Sequence, residues 1–217
     1  MAQPQHILPH YMRKIRFAID IIANTNAGNP DAIETPYYAP WDIALNDIVC
    51  ATRNCIVHPQ PALRTPEDGA RIPDFAIALN LSQLGWALNT RNRRGFYYIM
   101  GIENKRINPE DNANNIQANF ESNGVITQVR NQAKYICSYT GQDMVVCIYA
   151  IGLYWRYTCL YKRCMSEIYA GPSESMTPGA IEWSQIYTLG TPASDDKLQW
   201  LKTHAAQRNG WPINTSL

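Results

Sequence analysis

No run of eighteen or more apolar residues occurs in this 217-residue chain, so the sequence offers no candidate membrane-spanning helix. Charge is scarce as well. Asp, Glu, Lys and Arg make up 17% of the residues and the formal net charge is +1, which excludes a globally basic nucleic-acid binder and leaves any attraction for phosphate to local patches. None of the six cysteines forms a CxxC pair and several stand in apolar runs, so buried reduced thiols are expected before zinc or disulfides. The apolar piece from Phe17 to Ala23 is too short for a signal peptide and is broken by Asp20. The expectation is an intracellular protein, with nucleus and cytoplasm not distinguished. Neither an internal repeat nor a low-complexity tract is present.

What remains is enough for a core. Hydrophobic residues make up 46% of the chain, and its length fits one domain of ordinary size. Residues 1–38 read as an N-terminal extension with an accessory helix over Met12 to Ala23, followed by the breaker NTNAGNPD; residues 39–217 read as the main domain. A short helix is expected in WDIALNDIVC and a first strand in CIVHPQPAL. VITQVRNQAKYICSYT carries a helical stripe, and MVVCIYAI and YWRYTCLY form a hairpin around Ile151-Gly152. AIEWSQIYTL reads as one more strand, and SDDKLQWLKTHAAQ as a helix capped by Ser194.

The stretch from Arg71 to Lys105 organises the rest. RIPDFAIAL and GFYYIMGIENK are two alternating apolar runs joined by a long polar loop, the pattern of a β-hairpin. Glu103 and Lys105 are two apart and so share a face. If the hairpin pairs symmetrically about Leu88 and Asn89, Asp74 falls opposite Glu103. Ala76, Ala78 and Gly101 then lie on that same face and leave it small, while Phe75, Ile77, Leu79, Tyr98, Met100 and Ile102 lie on the bulky face. Two carboxylates at close range repel unless a cation sits between them. Hard oxygen donors of this kind suit Mg²⁺ or Mn²⁺, with Lys105 as a further cation beside a nucleophile or phosphate.

Pro73-Asp74 followed by Glu103-Asn104-Lys105 resembles the signature of the PD-(D/E)xK nuclease superfamily. The order of elements from Ala39 to Lys162 is compatible with its core of helix, three strands, helix, strand. The chain is also similar in general character to the expanded nuclease-like families of mushroom-forming fungi. The resemblance implies an α/β (α+β) fold with a restriction-endonuclease-like core, a central mixed four- to five-stranded sheet flanked by helices. It implies metal-dependent hydrolysis of phosphodiester bonds in DNA or RNA, with Asp74 and Glu103 on the metal and Lys105 assisting. An additional acidic ligand from the first core helix would be Asp42 or Asp47. A glutamine on the helix after the ExK strand would be Gln132, then Gln128.

Nucleic-acid contacts are expected from Arg91, Arg93 and Arg94 in the hairpin loop, from Arg106, and from Arg130 and Lys134 on the following helix. The tyrosines and Trp155 of the second hairpin read as packing residues, and Arg156 as one that could face a ligand. A homodimer stays open, because cutting both strands takes two sites. The alternative function is a nuclease-like module that binds nucleic acid or a protein partner without cutting.

Overall fold

The computed structural model describes residues 10–26, 37–51, 55–61, 63–65, 69–71, 73–80, 96–107, 115–121, 123–161 and 182–211. The first helix, α1, runs His10–Asn26. Next comes α2, Tyr38–Ala44, continued by one π-helical turn over Leu45–Val49. Strands β1 (Cys55–Pro59), β2 (Leu63–Thr65), β3 (Gly69–Arg71), β4 (Phe75–Asn80) and β5 (Phe96–Lys105) follow. Helices α3 (Ile116–Phe120) and α4 (Asn123–Thr140) lead to β6 (Met144–Ile151), β7 (Tyr154–Tyr161) and β8 (Tyr187–Thr188). The last helix, α5, spans Pro192–Arg208.

Six strands form one mixed sheet in the order β1-β4-β5-β6-β7-β8, and β2 pairs with β3 in a separate ribbon. Among the described strands only β5 and β6 run parallel. A parallel pair needs a long crossover, and α3 and α4 supply it. The sheet is one strand wider than the four to five expected. β6 is apolar and buried along its whole length, as a strand covered on both faces should be.

Helices cover both faces. On one, Ile15 of α1, Trp41 and Ala44 of α2, and Leu198, Leu201 and Ala205 of α5 pack against Ile77, Met100, Ile102, Val146, Ile148 and Trp155. On the other, Ile116 and Phe120 of α3 and Val129, Ala133 and Ile136 of α4 pack against Ala76, Ala78, Val145, Cys147 and Tyr149. The five described cysteines are free thiols, and Cys164 lies outside the described residues. No described helix is long and apolar enough to cross a membrane.

The expected hairpin register holds at one end and shifts at the other. Phe75 pairs with Ile102, Ala76 with Gly101 and Ile77 with Met100, all symmetric about Leu88 and Asn89; beyond the bulge Ala78 pairs with Tyr98. One inserted residue turns the following side chains over. Tyr98 therefore packs among the α4-side residues instead of beside Met100, a correction to the alternation read from sequence. Gln142 satisfies the backbone at this point: its Nε2 donates to the Tyr98 carbonyl at 2.7 Å and its Oε1 accepts from the Tyr98 N–H at 3.2 Å.

Three smaller corrections follow from packing. Helix α5 is capped by Thr191, whose side chain accepts from the Ser194 N–H; Ser194 is buried and its Oγ accepts from the Trp155 indole at 3.0 Å. Of the described part of AIEWSQIYTL, only Tyr187–Thr188 is strand. Helix α3 was not foreseen, because its polar flank hides a single turn whose apolar anchors are Ile116 and Phe120.

Candidate active site

The face small enough for α4 to approach closely is the one that carries the charges. Gly101 shows why: a Cβ there would lie 3.0 Å from Cδ1 of Ile136. The small residues thus seat a helix, and the room they leave is filled by α4 instead of lying open. At the end of β5 the charged residues begin, and α4 turns glutamines toward them.

Glu103 is only 3% exposed. Its Oε1 accepts from the Lys105 ammonium and from Gln128 Nε2, and its Oε2 accepts from Gln132 Nε2 at 2.5 Å. The two glutamines are one helical turn apart, so both reach the same carboxylate. Burial pushes the Glu103 carboxyl above the usual carboxylate range, and the charge of Asp74 pushes it further; Lys105 and Gln132 pull the other way. Asp74 therefore lies close enough for its charge to be felt. It is held from two sides, its Oδ1 accepting from the Tyr38 hydroxyl at 2.6 Å and its Oδ2 from the Asn104 N–H at 2.7 Å.

The end of β5 is itself anchored. The Gly152 N–H donates to the Lys105 carbonyl at 2.8 Å, and the Trp41 indole donates to the Gly152 carbonyl at 3.0 Å. Gly152 adopts φ +61°, and a Cβ on it would press to 3.0 Å from the Tyr37 ring. Both facts demand glycine at this turn. Lys105 keeps 30% of its side chain exposed, so the ammonium stands at the rim of a buried carboxylate.

Tyr38 is the site residue that sequence reading missed. It is half-buried at the start of α2 and packs edge-on against Phe75, ring centroids 5.3 Å apart. Its only sequence signal is a polar-tipped aromatic next to Tyr37 at a helix start, with no chemical motif around it. Tyr38→Phe is expected to free Asp74 Oδ1 at a cost of no more than about 1 kcal/mol of stability, the usual net worth of one hydrogen bond. Urea unfolding checks this, and a loss of several kcal/mol would contradict a role confined to that bond.

The other candidates fall elsewhere. Asp47 pairs with Lys14 of α1 at 2.7 Å, and Asp42 Oδ1 accepts from Asn46 at 3.0 Å; among the described residues neither is bonded to Asp74 or Glu103. Arg106 is exposed beside Lys105. Arg130 and Lys134 are half-buried on α4, and burial lowers the Arg130 pKa. Arg91, Arg93 and Arg94 lie outside the described residues. His58, on the edge strand, has its Nδ1 2.9 Å from the Tyr98 hydroxyl.

The donor set fits a hard divalent cation. Among the described residues both Asp74 oxygens and Glu103 Oε2 each accept a single hydrogen bond, and a carboxylate oxygen has a second lone pair to offer. No group of three His, Cys, Asp or Glu side chains able to hold a metal occurs among the described residues, so remaining ligands would come from water and substrate, as Mg²⁺ prefers. No protein-family model, curated protein or solved structure matches this chain.

Proposed function

We propose that the chain is a metal-dependent nuclease of PD-(D/E)xK type, hydrolysing phosphodiester bonds of DNA or RNA. One observation carries the reading: Asp74, Glu103, Lys105 and two glutamines from three separate segments converge at one end of the β4/β5 pair. Convergent acids and a cation beside a buried carboxylate are what phosphoryl chemistry requires. Asp74 and Glu103 would hold Mg²⁺ or Mn²⁺, which when bound polarises the phosphate and lowers the pKa of water.

The chain's own residues do the rest. Gln128 and Gln132 fix Glu103 in one rotamer, and Tyr38 and the Asn104 N–H fix Asp74. Lys105, half in solvent, places positive charge where negative charge develops on the attacked phosphate. Glu103 serves only when ionised, which its raised pKa makes dependent on pH and on the arriving cation.

The non-cutting module is favoured by one feature: Glu103 already accepts three hydrogen bonds, as a purely structural carboxylate would. A cleavage assay decides. Mixed DNA and RNA substrates are expected to be cut with Mg²⁺ or Mn²⁺, left intact in EDTA, and left intact by Asp74→Ala under every metal. A folded wild type that binds nucleic acid but cuts nothing, with or without metal, would replace the nuclease by the binding module.

A further inference from the structure

The row of side chains that starts at Glu103 continues across the sheet. Glu103 pairs with Tyr149 on β6, and Tyr149 pairs with Arg156 on β7. Residues paired in register share a face, so Arg156 lies on the α4 side about 10 Å from Glu103, two inter-strand spacings. It is only 5% exposed. Its guanidinium lies 5.0 Å from the Phe120 ring centroid and 4.5 Å from that of Trp183, and one terminal nitrogen donates to the Phe120 carbonyl. Tyr149 closes the cluster, 5.0 Å from Phe120 and 6.5 Å from Trp183 between ring centroids.

Donors outnumber acceptors here. The Nε of Arg156 and the indole Nε1 of Trp183 are both buried, and among the described residues neither has a hydrogen-bond partner. Glu121 is near enough to act on Arg156 electrostatically, yet it is exposed and its carboxylate accepts from Gln117 at 2.8 Å. A guanidinium Nε–H and an indole N–H buried without an acceptor are costly. One oxyanion within reach of both would satisfy them together, and the planar guanidinium is shaped to bind phosphate oxygens.

We propose that Arg156 and Trp183 form a phosphate-binding site beside the carboxylate pair. A phosphate group is the ligand, free or carried by nucleic acid. On the phosphodiesterase reading, on which this assignment of the source rests, it is a substrate phosphate close to the one that is cut, and the site sets the register of the strand against Glu103.

Calorimetric titration with inorganic phosphate, in EDTA and at constant ionic strength, tests the site without metal or turnover. Wild type is expected to bind phosphate. Trp183→Phe keeps the ring over Arg156 but removes the N–H, and should bind about tenfold more weakly; Arg156→Lys should lose most of the binding; Asp74→Ala should bind as wild type does. The first two variants should also raise KM for an oligonucleotide about tenfold with little change in kcat. A wild type that takes up no phosphate, or a Trp183→Phe protein that binds it undiminished, overturns the site, and Trp183→Phe decides if Arg156→Lys fails to fold. Phosphate uptake by a protein that cuts nothing supports the site and sinks the phosphodiesterase reading. Cutting without phosphate uptake does the reverse.

Discussion

Glu103→Gln is expected to lower metal-dependent phosphodiester cleavage by about a thousandfold or more, the scale of losing a principal charge-stabilising group. The substitution keeps the side chain's size, and Gln132 can rotate its amide to present oxygen instead of nitrogen. Folding should therefore survive, and far-ultraviolet circular dichroism would confirm it. Two further readouts follow from the buried charge. Mg²⁺ should raise the melting temperature of wild type and leave that of Glu103→Gln unchanged, because a ligand stabilises only the state that binds it.

The pH dependence has a definite sign. The Glu103 carboxyl is raised in the folded chain, first by burial and then by Asp74, so between its unfolded and folded pKa the folded state holds the extra proton. Its contribution to stability is full below the usual carboxylate range and is lost as pH rises through the raised value. Metal-free wild type should thus lose stability relative to Glu103→Gln as pH rises across that window. Parallel pH curves for the two proteins would refute the buried, strained carboxylate.

Trp41→Ala is expected to cost about 3–5 kcal/mol of stability, the range for removing a large buried aromatic. Trp41 is 0% exposed and meets Trp155 edge to face at 6.1 Å. Its indole also donates to the Gly152 carbonyl, while the Gly152 N–H holds the Lys105 carbonyl. The cavity would therefore open behind the turn that anchors the end of β5. Cleavage should fall with stability even where the protein remains folded, whereas Trp41→Phe should keep most of the packing and lose about 1 kcal/mol for the hydrogen bond. Urea unfolding of both variants is the measurement. A loss below about 1 kcal/mol in Trp41→Ala would contradict the burial.

Much of the site was legible before any fold was seen. Strand alternation alone put Glu103 and Lys105 on one face, and hairpin symmetry put Asp74 level with Glu103, in line with the observed pairing of Phe75 with Ile102. The spacing of Gln128 and Gln132 placed both on one helix face. These are local properties, set by backbone periods that each short segment carries by itself. The bulge that turns Tyr98 over was not legible, since the extra residue is visible only against its partner strand.

Most helices and strands, and the three charged residues at the hairpin's end, were fixed by local sequence, although α3, the β2–β3 ribbon and the face of Tyr98 were not. Tertiary structure alone decided which distant groups meet those charged residues. Tyr38 reaches Asp74 across 36 positions and Trp41 reaches Gly152 across 111. It also gave Asp47 to Lys14 instead of the site, and set Arg156 over the Phe120 and Trp183 rings. The physical reason is that backbone periodicity acts within a single element, whereas these partners are chosen by how closely two elements can pack. That closeness depends on side-chain volumes summed over the whole core, down to the missing Cβ of Gly101.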